Sequence, residues 1–147
     1  MIIQRDKYTI QISDDVLAIL DSYKNSDMRK EAGGIILGTV SRKNEITVSK
    51  LSLPNVYDRA SRYNFERDKT VAQIIVNYEF HNSQGKIIYL GEWHTHSEPN
   101  PTPSSTDIKM IKGQFQDNKL NESFLIMMIQ GTQSLYTALY DGEYIYE

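Results

Sequence analysis

Two of the three histidines in this chain, His94 and His96, lie two residues apart. Side chains at this spacing on a β-strand point to the same face, so both imidazoles can bind one metal ion. The chain contains no cysteine, which excludes disulfides, thiolate metal sites and cysteine nucleophiles. The spacing therefore predicts a metal site with nitrogen and oxygen ligands.

This site still needs a carboxylate, because a catalytic zinc site has three protein ligands and keeps its fourth position for water. Asp107 is the downstream candidate, three residues after Ser104 and beyond residues 97–103, which hold three of the chain's four prolines. We expect this stiff stretch to turn the chain back, so that the first turn of the next helix faces the histidines. A zinc ion held there would lower the pKa of its water to about 7 and polarise a carbonyl oxygen, which amide hydrolysis requires.

Amide hydrolysis also requires a general base, and two glutamates are candidates. Glu31 precedes a glycine-rich apolar run at residues 33–40, whereas Glu92 shares a strand face with the histidines if a period of two is kept. Spacing alone does not choose between them. The hydroxyl group of Ser104 is a candidate donor to the developing oxyanion.

Each candidate residue also has an ordinary structural explanation. His94 and His96 can be polar residues at a strand end, and Glu31 taken alone would be a surface carboxylate in most proteins. Ser104 and Asp107 form the pattern of an N-terminal capping box, which satisfies backbone donors at the start of a helix. The metal-site hypothesis therefore depends on the ordered combination of these residues.

Alternating or continuous apolar stretches predict the strands that must position these residues. The predicted strands are residues 7–12, 33–40, 46–53, 86–96, 124–129 and 135–140. Helices are predicted after Ser13, after residue 67 and from Ser104. Strands and helices interleave without βαβ regularity, which predicts an α/β fold of the α+β type with a mixed sheet flanked by helices.

The polar and aromatic segment 54–67 is predicted to be a loop. Its aromatic residues Tyr57, Tyr63 and Phe65 either pack in the interior or contact a substrate. The helix that follows is predicted to bury one apolar face. This face consists of Val71, Ile74, Ile75 and Tyr78.

Length and composition limit the possible classes of protein. A chain of 147 residues is long enough for one core, so residues 1–147 are predicted to form one domain. The formal net charge of -3, without a basic stripe, disfavours nucleic-acid binding. No apolar run approaches the roughly 20 residues of a membrane span, and the first residues do not resemble a signal peptide, so we expect a cytoplasmic protein.

A family resemblance rests on the order of the candidate residues. The order is His94-Thr95-His96, seven residues, Ser104, two residues and Asp107, preceded by Glu31 and the glycine-rich run. This pattern resembles the JAMM (MPN-plus) metalloprotease motif. The resemblance implies a single MPN-like domain with a mixed, mostly antiparallel sheet in a cytidine-deaminase-like layout.

The resemblance also implies a role for each matching residue. By that resemblance His94, His96 and Asp107 are the ligands of one zinc ion, Glu31 is the general base, and Ser104 helps to stabilise the tetrahedral intermediate. Glu92 has no such role, and we expect it to line the site or to hydrogen-bond residues around it. Many members of the family have proline directly after the second histidine, where this chain has Ser97-Glu98-Pro99. This departure puts the path of the loop in question more than the metal site.

The activity that the resemblance implies is cleavage of the isopeptide or peptide bond after the C-terminal glycine of ubiquitin or a ubiquitin-like protein. A short chain of this kind resembles bacterial members that reverse protein conjugation in CBASS-type antiphage operons. The implied partners are a ubiquitin-like protein or its conjugate, together with ubiquitin-activating and ubiquitin-conjugating homologues and a nucleotide-signalling enzyme from the same operon. The alternatives are a zinc peptidase that trims a sulfur-carrier protein and a catalytically silent scaffold.

Overall fold

Ten strands and three helices are present in residues 1–24 and 30–147, which are the residues that the computed structural model describes. The strands are β1 (Ile2–Arg5), β2 (Tyr8–Ile12), β3 (Gly33–Val40), β4 (Glu45–Leu51), β5 (Arg59–Ala60), β6 (Phe65–Glu66), β7 (Ile88–Thr95), β8 (Leu125–Gln130), β9 (Leu135–Tyr140) and β10 (Ile145–Tyr146). The helices are α1 (Asp14–Ser22), α2 (Lys69–Asn82) and α3 (Ser105–Asp117). Over the described residues, no helix is both long and apolar enough to cross a membrane.

Eight strands form one sheet in the order β1-β2-β4-β3-β7-β8-β9-β10, and β5 pairs with β6 in a separate hairpin. All neighbours in the large sheet are antiparallel except β2 with β4 and β7 with β8. The prediction of a mixed sheet flanked by helices is confirmed. Because β3 and β7 are antiparallel, with Gly33 opposite His94, the residues before β3 lie beside the end of β7.

Helices cover both faces of the sheet. Val16 and Leu20 of α1 pack on one face, whereas Ala72 of α2 and Ile111 of α3 pack on the other. Every residue of β8 is buried, as expected for a strand that is covered on both sides. The predicted N-caps at Ser13 and Ser104 are present.

A β-bulge in β7 decides which face the first histidine occupies. The register between β3 and β7 shifts by one residue at Gly91, so Leu90 and Trp93 lie on the α1 face although they are three apart. A Cβ atom on Gly91 would overlap the carbonyl oxygen of Ile126, so only glycine allows β8 to approach this closely. Beyond the bulge the alternation is reversed, so Trp93 lies on the α1 face and His94 points toward α3.

Two predictions about the elements are corrected, and two strands were not predicted. Val71 and Ile75 of the predicted face of α2 are half-buried, and Ile75 packs toward the sheet. Ile74 and Tyr78, however, are 62% and 64% exposed, because Ala72 and Val76 complete the contact instead. The predicted loop at 54–67 contains the β5–β6 hairpin. The edge strands β1 and β10 were not predicted, because both are short and half exposed and show little apolar alternation.

Candidate metal centre

The end of β7 and the first turn of α3 bring three possible metal ligands together. The Nε2 atom of His94 lies 3.0 Å from Oδ1 of Asp107, and Nε2 of His96 lies 3.1 Å from Oδ2 of the same carboxylate. The two Nε2 atoms are 3.2 Å apart. Two ligand atoms at tetrahedral positions around zinc, each at about 2.0–2.1 Å, are separated by about 3.3–3.4 Å. The spacing of these donors therefore fits one zinc ion with little rearrangement.

Asp107 reaches this place because it also caps α3. The backbone N–H group of Asp107 donates to Oγ of Ser104 at 3.1 Å, and the N–H group of Ser104 donates to Oδ2 of Asp107 at 2.8 Å. The capping box that competed with the metal-site hypothesis is therefore present and is compatible with it. Since Oγ of Ser104 acts as the acceptor in this bond, its hydroxyl hydrogen remains free to donate elsewhere.

Three hydrogen bonds place Glu31 beside the histidines. Thr95, between the two histidines, donates its backbone N–H group to the carbonyl oxygen of Ala32 and accepts the N–H group of Ala32 at Oγ1, both at 2.9 Å. On the other side, the N–H group of Glu31 donates to the carbonyl oxygen of Ser61 at 2.7 Å. Glu31 is therefore held between strand β7 and the β5–β6 hairpin.

The protein environment shifts the pKa of Glu31 toward neutrality. The residue is only 8% exposed, and burial raises the pKa of its carboxyl group to about 7, with His96 lowering it and Asp107 raising it. A carboxyl group with a pKa near 7 exchanges protons readily at neutral pH, as a general base requires. Glu31 therefore combines a suitable pKa with a position beside the predicted ligands.

Glu92, the other candidate base, is occupied by a buried ion pair. Its Oε1 atom accepts hydrogen bonds from the hydroxyl group of Tyr89 at 2.7 Å and from Nε of Arg67 at 2.9 Å. Arg67 in turn donates from Nη2 to the side-chain oxygen of Gln114 at 3.2 Å. Burial raises the pKa of Glu92, whereas Arg67 and Tyr89 oppose this shift. Glu92 shares the face of His94, as predicted. Its carboxylate, however, binds Arg67, which links β7 to Gln114 of α3.

Arg67 was missed by the sequence analysis. It lies 25 residues from Glu92 and 47 residues from Gln114, so no local pattern indicates the contact. The sequence contained one signal, which was Glu92 within an otherwise apolar predicted strand. A carboxylate that is buried there requires a cationic or hydrogen-bonding partner.

His96 interacts with two carboxylates. Burial lowers its pKa, but hydrogen bonds to Asp107 and Glu98 and the charges of Asp107 and Glu31 outweigh this effect and raise the pKa to about 9. The pKa of Asp107 moves the other way: burial raises it, but hydrogen bonds with His94, His96 and Ser104 hold it well below its usual range. In the metal-free protein at neutral pH the carboxylate of Asp107 is thus ionised and the His96 ring beside it is protonated.

The aromatic residues of the segment 54–67 have different environments. Phe65 is buried and lines a small cavity together with His94 and Asp107. Tyr57 and Tyr63 are 70% and 80% exposed. The packing hypothesis is therefore correct for Phe65, whereas Tyr57 and Tyr63 remain free to contact a partner.

Comparisons with known proteins show which family and relatives this chain resembles. A family model described as prokaryotic homologs of the JAB domain matches residues 14–140. A protein of Pseudomonas aeruginosa named CD-NTase/cGAS isopeptidase is 34% identical over 117 residues, which cover 80% of this chain and 73% of that protein. A protein of the same name from Escherichia coli is 38% identical and covers 68% of this chain and 64% of its own length. A third, from Vibrio cholerae, is 29% identical over 137 residues, which cover 92% of this chain and 85% of that protein.

A solved structure supports the fold. The solution structure of a Desulfitobacterium hafniense protein superimposes with a TM-score of 0.65 at 17% identity and covers 94% of this chain and 89% of that protein. At this level of identity the similarity extends to the arrangement of strands and helices and to nothing more specific.

Proposed function

We infer the function of this chain from its family: it belongs to the prokaryotic homologs of the JAB domain, as the resemblance to the JAMM motif predicted. Its relatives are named isopeptidases, and this chain is an enzyme of the same kind. We propose that it hydrolyses the isopeptide or peptide bond after the C-terminal glycine of a ubiquitin-like protein or of a conjugate. We further propose that the conjugate belongs to a CD-NTase antiviral system.

One observation supports this proposal most strongly: possible ligand atoms of His94, His96 and Asp107, one from each residue, lie within 4.8 Å of one another. The two Nε2 atoms are 3.2 Å apart, and each lies 3.0–3.1 Å from one of the two oxygens of Asp107. Two imidazoles and a carboxylate are a common ligand set for catalytic zinc. We assign one zinc ion per chain to these residues. When bound, zinc lowers the pKa of a coordinated water and polarises the carbonyl group of the substrate.

Glu31 and Ser104 carry out the proton and charge chemistry in this proposal. The carboxylate of Glu31 accepts a proton from the attacking water and returns it to the lysine amine that leaves. Its pKa of about 7 suits both transfers. The hydroxyl group of Ser104 donates to the carbonyl oxygen as negative charge develops there, an interaction whose loss costs roughly 3–4 kcal/mol in other enzymes.

The substrate protein requires a docking surface beside this centre. Four large apolar or aromatic side chains are exposed in the segment 54–67 and at the residue before it: Leu53, Val56, Tyr57 and Tyr63, with exposures of 52%, 91%, 70% and 80%. The same segment holds Glu31 through the carbonyl oxygen of Ser61. We propose that the extended C-terminal tail of the ubiquitin-like protein binds along this segment and pairs with its backbone by β-augmentation.

The substitution Glu31→Gln tests the mechanism. It keeps the size of the side chain but removes its ability to accept a proton, so we expect zinc content to be retained and conjugate hydrolysis to fall at least about 100-fold. The measurements are metal analysis and a gel assay of a purified conjugate. Glu143→Gln, at an exposed position, is the matched control and should keep full activity. Full activity in the Glu31→Gln variant would refute the assignment of the base.

The two alternatives predict other results. A silent scaffold would hydrolyse no conjugate and requires no intact ligand set, whereas all three ligand residues are present and face each other. A sulfur-carrier peptidase would release a short tail from its carrier protein, but the name that the relatives carry favours a conjugate. A cytoplasmic location and the partnership with activating, conjugating and nucleotide-signalling enzymes stay predictions.

A further inference from the structure

The loop between β7 and α3 is held firmly against the turn between β8 and β9. The backbone N–H group of Thr132 donates to the carbonyl oxygen of Glu98 at 2.9 Å, and the N–H group of Ser134 donates to that of Pro99 at 3.0 Å. A Cβ atom on Gly131 would lie 2.6 Å from the carbonyl oxygen of Glu98, so the two segments meet at van der Waals contact. The backbone of Glu98 therefore has one well-defined position.

From this position the side chain of Glu98 reaches His96. Its Oε1 atom lies 3.0 Å from Nδ1 of His96 and also accepts the backbone N–H group of Thr102 at 3.2 Å. The side chain of Glu98 is 48% exposed, whereas that of His96 is 13% exposed. The contact with Glu98 thus holds the outer edge of the imidazole, and the inner edge faces His94 and Asp107.

A carboxylate accepts hydrogen bonds and cannot donate them. The Nδ1 atom of His96 must therefore carry a hydrogen when it bonds to Glu98, and in the neutral ring this leaves the lone pair on Nε2. Nε2 is the atom that faces the other two ligands. In other proteins, carboxylates behind ligating histidines select the ring tautomer and orientation in the same way.

We propose that Glu98 is a positioning residue for the metal centre, which orients the His96 ring and directs the lone pair of Nε2 toward the metal. This inference rests on the proposed function, because it concerns the same zinc site. It also gives a role to the Ser97-Glu98-Pro99 segment. Many members of the family have proline directly after the second histidine, at the position of Ser97. Glu98 supplies by a hydrogen bond an orientation of His96 that backbone stiffness alone does not provide.

Zinc affinity of the purified full chain tests this role without any substrate. Glu98→Ala should weaken zinc binding at least about tenfold in competition with a chelating dye. Glu98→Gln, whose amide oxygen can still accept from Nδ1, should recover most of the affinity. Asn100→Ala is the matched control. It removes another hydrogen bond of the same loop, in which the hydroxyl group of Ser134 donates to Oδ1 of Asn100 at 2.9 Å, and it leaves the bond between Glu98 and His96 in place. This control should bind zinc like the unaltered protein.

Two results would overturn the inference and leave the proposed function intact: zinc affinity in Glu98→Ala equal to that of the unaltered protein, or an equal loss in Glu98→Ala and Asn100→Ala. The second result would mean that Glu98 acts only by stabilising the loop. If the unaltered protein binds no zinc, the proposed function fails together with the inference. Thermal unfolding of each variant, measured alongside, separates a loss of zinc affinity from a loss of fold.

Discussion

Two carboxylates join strand β7 to helix α3, and their surroundings differ in one respect. In the ligand cluster, formed by His94, His96 and Asp107, the carboxylate faces two imidazoles. In the Arg67 network, formed by Arg67, Tyr89, Glu92 and Gln114, the carboxylate faces a guanidinium group and a hydroxyl group. The cation of the network is permanent, whereas the cation of the metal-free ligand cluster is the His96 ring, which can give up its proton and become a metal donor. This difference separates the structural carboxylate of Glu92 on β7 from the carboxylate of Asp107 on α3, which we propose binds a metal.

The largest expected effect comes from removing the cation of the Arg67 network. The side chains of Arg67 and Glu92 are each only 12% exposed. Arg67→Met would therefore leave a buried carboxylate without its partner, which should lower the free energy of unfolding by about 3–5 kcal/mol. Urea unfolding measures this change. Lys50→Met is the matched control, because it breaks an ion pair with Glu79 whose lysine is 48% exposed, and it should cost less than about 1 kcal/mol.

The double variant Arg67→Met/Glu92→Leu sharpens the interpretation. If the loss in the single variant comes from an unpaired buried charge, removing that charge should restore most of the stability. A double variant as unstable as Arg67→Met alone would show instead that the packing of the arginine, and not its charge, stabilises the junction.

The ligand cluster could be predicted from the sequence largely because its members are local. His94 and His96 are two residues apart, and Asp107 follows after one stiff loop, so short-range rules were enough to suggest a shared ion. The choice of Glu31 over Glu92 came from the family resemblance. The structure gives a physical reason that agrees with it: the lone pairs of Glu92 are engaged by Arg67 and Tyr89.

Other features depend on contacts between distant segments, which no local pattern reports. Strict alternation along residues 86–96 would place Leu90 on the same face as His94, whereas the bulge at Gly91 separates them. The glycine was visible in the sequence, but the shift in register arises only when β3 and β8 pair with β7. The exposure of Ile74 and Tyr78 has the same origin, because the sheet contacts α2 through Ala72, Ile75 and Val76.

We expect an intermediate effect at the ligand cluster, because protons compete with the metal ion for the ring nitrogen of His96. The pKa of His96 in the metal-free protein is raised to about 9, so below that pH the ring carries a proton that zinc must displace. Zinc affinity should rise at least about tenfold per pH unit between pH 7 and 9, and binding near pH 7 should release about one proton from His96 and a further fraction from Glu31, whose pKa is about 7. Calorimetric titrations of zinc in two buffers with different heats of ionisation measure this release. Affinity that does not change between pH 7 and 9 would contradict the prediction.

The same pKa also affects the stability of the metal-free protein. Because the folded-state pKa of His96 lies above its unfolded value of 6.5, the stabilisation is complete below about pH 6.5 and is lost as the pH rises through about 9. The Arg67 network should show no such loss in this range, since arginine stays protonated. Urea unfolding of the chelator-treated protein at several pH values between 6 and 10 measures the loss, to which the raised pKa of Glu31 also contributes near pH 7.

The smallest expected effect lies in residues 61–67, where the carbonyl oxygen of Ser61 accepts the N–H group of Glu31 and Arg67 binds Glu92. Tyr63 in this segment is 80% exposed, so we expect it to contact a partner and not to stabilise the fold. Tyr63→Ala should raise KM for a protein conjugate several-fold, by the roughly 1 kcal/mol that one aromatic contact contributes, while zinc content and kcat stay the same. Tyr144→Ala is the matched control: this tyrosine is 59% exposed but follows the end of β9 that is remote from the histidines. Equal KM values for Tyr63→Ala and the unaltered protein would exclude Tyr63 from the docking surface, and the exposed side chains of Val56 and Tyr57 would then be the next to replace.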